Sequence, residues 1–247
     1  MIILTFSFFV TSILYSSVGF GGGSTYLALL LIWDIPFFIF PVIALLCNII
    51  VVSGNSFNYI RAGNHNFKLL LPFLIGSIPF AFFGGTLLID KVTFEFILFF
   101  VLMFAGILLL INNRSYETNN LVIRKLNVTF SCLIGSALGL ISGIVGIGGG
   151  IFLSPILFLL KAEKPKIIAT TASLFILINS ISGLLGQFTK ENIFNELIFY
   201  WPLFLSVLIG GYIGNYINLK IFSNRTLTIM TSLLVIFVSL RIGIRIF

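Results

Sequence analysis

From Leu126 to Leu160 the chain runs through 35 consecutive residues without a charge, and Met1 to Trp33 is a second uncharged stretch nearly as long. A continuous helix of 35 residues would be about 52 Å long at 1.5 Å per residue, far beyond a hydrocarbon core of about 30 Å. Each stretch is interrupted by glycines, Gly19-Phe20-Gly21-Gly22-Gly23 in the first and Gly146-Ile147-Gly148-Gly149-Gly150 in the second. Glycine is the poorest helix former after proline, and three in a row end a helix. The two stretches are therefore predicted to be helical hairpins that enter, turn at the glycines and return. Six further apolar stretches, at about 36–60, 69–89, 92–111, 167–189, 197–219 and 226–247, have ordinary single-span lengths.

Composition closes off the soluble alternatives. The apolar set makes up 59% of the 247 residues and charged residues only 9%. Soluble domains carry roughly 25% charged residues, because a globule must present a wetted surface. The net charge of +7 comes from short basic patches between apolar runs, which orient helices in a bilayer, so no nucleic-acid partner is expected. Cys47 and Cys132 sit in separate apolar segments with no CxxC spacing, and no cofactor or metal is expected. The first segment lacks the basic start of a cleavable signal and is read as a retained membrane span.

The two glycine breaks lie 127 residues apart, and other landmarks repeat at nearly that spacing. Pro36 matches Pro165, Ser53-Gly54 matches Ser182-Gly183, and Gly84 matches Gly214. Ser12 and Ser16 map onto Gly139 and Gly143, small-residue pairs that let helices approach closely in lipid. The predicted organisation is a first repeat at 1–112, a polar cytoplasmic linker at 113–125 and a second repeat at 126–247. A hairpin plus three spans is an odd number of crossings, so the second repeat should be inverted. Loop charge agrees. With hairpins, Arg61, Lys68, Arg114, Arg124, Lys125, Lys161, Lys164, Lys166, Lys220 and Arg225 share one face, against Lys91, Lys190, Arg241 and Arg245 on the other. That asymmetry obeys the positive-inside rule and puts the richer face in the cytoplasm. The expected fold class is an all-α integral membrane protein of two inverted repeats, each a glycine-broken helical hairpin plus three transmembrane helices.

Inverted repeats with broken helices are a transporter architecture. A break at membrane depth leaves backbone N–H groups to be satisfied by protein, water or an ion, and the helix that follows aims its positive dipole end at the same place. Ser24 and Thr25 add hydroxyls after the first break, whereas Ile151 and Phe152 follow the second. The run Ser142-Gly-Ile-Val-Gly-Ile-Gly-Gly-Gly-Ile-Phe-Leu-Ser-Pro155, followed by Pro165 and Ala169-Thr170-Thr171-Ala172-Ser173, resembles the sulfite exporter TauE/SafE family. Ser17-Val-Gly-Phe-Gly-Gly-Gly23 resembles its first-repeat counterpart, although Ala28 and Val42 stand where Pro155 and Thr171 stand in the second half. The resemblance implies transport of small sulfur-containing or carboxylate anions, such as sulfite, thiosulfate, sulfonates or sulfoacetate-like compounds, across a bacterial cytoplasmic membrane.

The expected binding residues are Gly21, Gly22, Gly23, Ser24 and Thr25 facing Gly148, Gly149 and Gly150, with Asn48, Asn55, Thr171, Ser173 and Asn179 supplying further contacts. Ser and Thr in a membrane helix also bond their own backbone a turn earlier, whereas an amide cannot be hidden so locally. All seven acidic residues fall in loops or within about a turn of a segment end, so neither buried-carboxylate coupling nor enzyme chemistry is expected. The expected partners are a small anionic substrate and the lipid bilayer, with a homodimer left open. An anion channel and a non-transporting scaffold subunit are the competing readings.

Overall fold

The computed structural model describes residues 1–33, 35–111, 123–190 and 196–220, with single positions between 229 and 244. Most of the expected linker, and most of the last apolar stretch, therefore lie outside the described residues, as do Asp34, Arg114, Glu117, Glu191 and Arg225. Every regular element among the described residues is helical.

Helix α1 (Ile2–Val18) ends at Gly19, whose φ of 89° is a left-handed conformation that L side chains resist. Gly22, φ 87°, opens the short α2 (Gly23–Ile32). The second break repeats this. Helix α6 (Val128–Val145) ends at Gly146, φ 88°, and α7 (Gly150–Leu159) opens at Gly149, φ 74°. Both breaks reverse the chain. The rings of Phe8 and Tyr26 stack with centroids 4.7 Å apart, whereas 18 residues of continuous helix would separate them by about 27 Å. In the second hairpin the Arg124 N–H donates to the Lys161 carbonyl at 3.0 Å, so the approach to α6 meets the exit from α7. The arms are unequal, which composition does not reveal: α2 and α7 have 10 residues each, about 15 Å or half the hydrocarbon thickness.

The remaining helices have local reasons for their starts. Pro41 occupies the first turn of α3 (Phe40–Arg61) and Pro165 that of α8 (Pro165–Gln187), where a missing N–H costs nothing. Asn66 caps α4 (Phe67–Thr86), its Oδ1 accepting from the Leu69 N–H at 3.2 Å. Asp90 caps α5 (Lys91–Ile111), accepting from the Thr93 N–H at 3.0 Å and the Thr93 hydroxyl at 2.6 Å. Asn127 does the same for α6 through the Thr129 N–H. A 3-10 turn at Ile198–Tyr200 leads into α9 (Trp201–Lys220). Among the described residues six helices (α3, α4, α5, α6, α8 and α9) are long and apolar enough to cross a membrane. Their outward faces are apolar, as at Leu133 (66% exposed) and Tyr212 (79%), a surface suited to lipid and not to water.

Packing interlocks the two halves. Helix α4 lies along α6, and α1 lies along α9, in the two largest helix contacts. Exchanging α1–α4 for α6–α9 turns one pair into the other and returns the central α3–α8 pair to itself. The α4–α8 contact likewise becomes α3–α9. Small residues make these approaches close: a Cβ on Gly135, Gly139 or Gly143 would run into the carbonyls of Phe73, Ser77 and Ala81, and one on Gly84 into that of Leu140. On the other side, Gly210 and Gly214 press on the carbonyls of Phe9 and Ile13, and the Ser16 hydroxyl donates to the Gly211 carbonyl at 2.7 Å.

The bundle has two distinct ends. Asn66 Nδ2 donates to Glu163 Oε1 at 2.9 Å, which joins the α3–α4 loop to the α7–α8 loop beside Arg124 and Lys125. At the other end Phe37 and Phe38 share a small cavity with Leu87, Leu88, Ile89, Gln187 and Lys190. The first hairpin returns at this second end and the second hairpin opens at the first.

Candidate functional site

The two breaks meet at Asn48. This residue of α3 has no exposed surface, and its amide lies between both glycine runs. A Cβ on Gly21 would fall on Asn48 Oδ1, and one on Gly23 would lie 2.7 Å from Nδ2. Across the interface, a Cβ on Gly148 would lie 3.1 Å from the same Nδ2. Nδ2 donates to the Gly146 carbonyl at 3.4 Å, a long and weak bond. Glycine is required at Gly21 and Gly23 because an amide occupies the space a side chain would take.

The polar groups are unevenly shared. The Tyr15 hydroxyl sits 2.7 Å from that of Thr25 and 3.1 Å from that of Ser24, so the end of α1 is tied to the start of α2. In the second half, Ile151 and Phe152 stand at the corresponding places, and Ile176 covers Gly148 and Gly150 as Asn48 covers Gly21 and Gly23. The half-length helix therefore starts on hydroxyl side chains in the first hairpin and on apolar ones in the second. Tyr15, Gly22, Ser24, Ile147, Ile151 and Ile176 are among the residues lining a cavity of about 10 Å³, room for about one water.

Neither half-length helix is capped by a side chain at its start. The Thr25 and Phe152 N–H groups turn back to the Gly22 and Gly149 carbonyls at 3.0 and 3.1 Å, the N–H groups before them have no side-chain cap, and each start carries the positive end of its helix dipole. Buried polar atoms beside the breaks are also unpartnered, among them Asn48 Oδ1, Ser142 Oγ and Ser180 Oγ. Ser180 Oγ lies 2.9 Å from where a Cβ on Gly148 would stand, and Ser142 packs beside Gly149. Buried polar groups are nearly always hydrogen-bonded, so such a cluster marks a place that water or a ligand fills.

The other expected residues separate. Asn55 Oδ1 accepts from Ser16 at 3.1 Å while its Nδ2 is unpartnered, in the contact of α1 with α3 and α9. The Thr171 hydroxyl bonds its own helix at Ile167, and Asn179 Nδ2 bonds Phe175 in the same way. Ser173 pairs with Ser56 at 3.1 Å. Thr171 and Ser173 are thus engaged away from the breaks, whereas Asn179 adjoins Ser180 and keeps an unpartnered Oδ1. Sequence reading did not single out Tyr15, Ser142, Ser180 or Ile176. Only the tyrosine hydroxyl within an apolar run offered a signal, since such a group must find a partner.

No cluster of His, Cys, Asp and Glu fit to hold a metal occurs among the described residues. Cys47 is buried and Cys132 half-buried, both as free thiols. His65 lies in the basic-end loop beside Phe67. Glu95, in the second turn of α5, is more enclosed than a position near a segment end suggests, with Lys91 at 4.0 Å. At the opposite end from the basic loops, burial pushes the Lys190 ammonium below its ordinary pKa, and its Nζ donates to Gln187 Oε1 at 2.8 Å.

Membrane-length helices, two glycine-broken hairpins and an uncapped buried junction between them define a polytopic membrane protein of transporter type. The chain belongs to the sulfite exporter TauE/SafE family, whose model matches residues 4–242. It is 26% identical to a probable membrane transporter protein, y4hK, of Sinorhizobium fredii, over 97% of this chain and 96% of that one. It is also 28% identical to a probable membrane transporter protein, MJ0441, of Methanocaldococcus jannaschii, over 91% of this chain and 88% of the relative. No solved structure matches the chain.

Proposed function

We propose that this membrane transporter is a secondary carrier of small sulfur-containing anions, bound where the two glycine breaks face each other. The observation that carries the reading is the junction itself. The first helix start and the Ser24 hydroxyl border one small cavity with Ile151 of the second, and the Asn48 amide and the unpartnered Ser180 hydroxyl lie together at Gly148. An oxyanion leaving water needs donors on several sides, because burying an unpaired charge is costly. Helix starts, hydroxyls and an amide supply them without a lysine. Asn179, next to Ser180 and with an unpartnered Oδ1, stands beside this cradle.

A cavity of about 10 Å³ is too small for a four- or five-atom oxyanion, so the arrangement is a closed one. Loading then requires the hairpins to part. Each hairpin packs on the fourth helix of the other half, so parting takes the form of one interlocked unit rocking against the other. The hairpins open at opposite ends of the bundle, which supports reading the halves as inverted repeats in a bilayer. The basic end faces the cytoplasm by the positive-inside rule, in a bacterial inner membrane. No sodium is required, since no carboxylate among the described residues lines the junction.

Purified protein in proteoliposomes tests this with labelled sulfite, thiosulfate, sulfate and short carboxylates. Saturable uptake of a sulfur oxyanion with counterflow is expected, and a channel would show no counterflow. Ser24→Ala should raise the half-saturation concentration roughly tenfold, the value of one hydrogen bond to a charged partner. Uptake unchanged in Ser24→Ala and in Asn48→Leu alike would place the substrate elsewhere.

A further inference from the structure

A second, larger opening lies at the basic end of the bundle, away from the glycine junction. It is a cleft of about 380 Å³ between the start of α4, the approach to α6 and the α7–α8 loop. Lys68, Arg124 and Lys125 line it together with Leu69, Pro72 and Val128. Among the described residues the one ion pair is Lys91 with Glu95, so none of these three cations has a carboxylate partner there. The acid that also borders the cleft, Glu163, is already engaged. Its Oε1 accepts from Asn66 Nδ2 at 2.9 Å and its Oε2 from the Lys164 N–H at 3.0 Å.

Position decides what such a cleft can hold. Lys68 is the second residue of α4, and Arg124 and Lys125 precede the start of α6 at Val128. Both helices are membrane-length, so their first turns lie at the level of the lipid headgroups. Val128 is 61% exposed and Phe67 47%, which continues the apolar wall out onto the lipid-facing surface. Cations at headgroup depth above an apolar wall match a molecule with a phosphodiester at one end and hydrocarbon at the other.

We propose that this cleft binds one anionic phospholipid, its phosphodiester held by Lys68, Arg124 and Lys125 and its glycerol and first methylenes lying on Leu69, Pro72 and Val128. The lipid would bridge α4 to the base of the second hairpin, next to the Arg124–Lys161 backbone bond that closes it. The proposal rests on α4 and α6 crossing a bilayer and is independent of which anion is transported.

The test is thermal stability of the detergent-solubilised full chain with added lipid. Phosphatidylglycerol, phosphatidylcholine and inorganic phosphate are titrated against wild type, a Lys68→Gln/Arg124→Gln/Lys125→Gln variant and a Lys161→Gln/Lys164→Gln/Lys166→Gln variant. The last removes equal charge from the same end without touching the cleft. Phosphatidylglycerol should raise the melting temperature of wild type and of the control variant. The cleft variant should need roughly a hundredfold more lipid for the same shift, at about fivefold per cation. Three results would overturn the proposal: equal stabilisation by phosphatidylcholine, equal stabilisation by inorganic phosphate, or equal loss of the lipid effect in both triple variants.

Discussion

At the scale of single residues, Asn48 is the most informative side chain, because it breaks the exchange symmetry of the halves. Its counterpart beside the second glycine run is Ile176. An amide with an unpartnered Oδ1 and one long bond is a poor structural choice, since replacing unsatisfied polar groups by apolar ones of similar shape is neutral or stabilising. Asn48→Leu should therefore hold or raise the melting temperature while cutting transport at least tenfold. A lower melting temperature with normal uptake would make Asn48 a structural residue instead. The glycines divide just as sharply. A methyl on Gly143 would press on the Ala81 carbonyl, where backbone must move, so Gly143→Val should prevent stable assembly of α4 on α6. Gly63 has φ 73° but open space around it, and Gly63→Ala should cost only about 1–2 kcal/mol of backbone strain. Thermal melts of the two variants check the contrast.

At the scale of elements, what sequence exposes is whatever is written locally. The hairpins were legible because runs of glycine stop a helix wherever they occur, and uncharged stretches of 33 and 35 residues leave no other room for a fold. The helix starts at Pro41 and Pro165 are equally local. Arm lengths were not legible, since the polarity of the returning α2 and α7 matches that of any buried segment. Hydroxyl roles were not legible either. Thr25 and Thr171 look alike in sequence, but one meets Tyr15 ten residues away and the other its own helix at Ile167. Asp90 offers an element-level test. Bonds from the Thr93 hydroxyl and N–H hold its carboxyl below the ordinary range while it caps α5. A depressed folded pKa means stability that is present above the unfolded value of about 3.9 and lost as pH falls through the lower folded one. Asp90→Ala should therefore melt below wild type at pH 6, and the gap should narrow toward pH 3. A gap independent of pH would mean that the charged cap contributes nothing.

At the scale of the whole molecule, the two halves are not separable bodies. Helix α1 finds its main partner in α9 and α6 finds its own in α4, so each hairpin is completed by the opposite half. The number of elements and the glycine repeat forecast this pairing only in outline, because which helices touch depends on small residues meeting across 60 or more positions, as Ser136 meets the Gly76 carbonyl. The loops are sorted to match. Asn66, Arg124, Lys161 and Glu163 come together at one end, while Leu88 and Lys190 lie at the other. Eight described basic residues (Arg61, Lys68, Arg124, Lys125, Lys161, Lys164, Lys166 and Lys220) belong to the first group, and only Lys91 and Lys190 to the second. Positive charge resists translocation, so the first end should stay in the cytoplasm. Cysteine labelling on a Cys47→Ala/Cys132→Ala background tests the arrangement as a whole. Asn64→Cys and Lys164→Cys, one in each half, should react with a membrane-impermeant maleimide only after the cells are opened. Leu88→Cys, 85% exposed, and Lys190→Cys should react in intact cells with a permeable outer membrane. Labelling of Asn64→Cys and Lys164→Cys from opposite sides would break the inverted arrangement, because the second hairpin would then have crossed the bilayer once instead of returning to the side it entered.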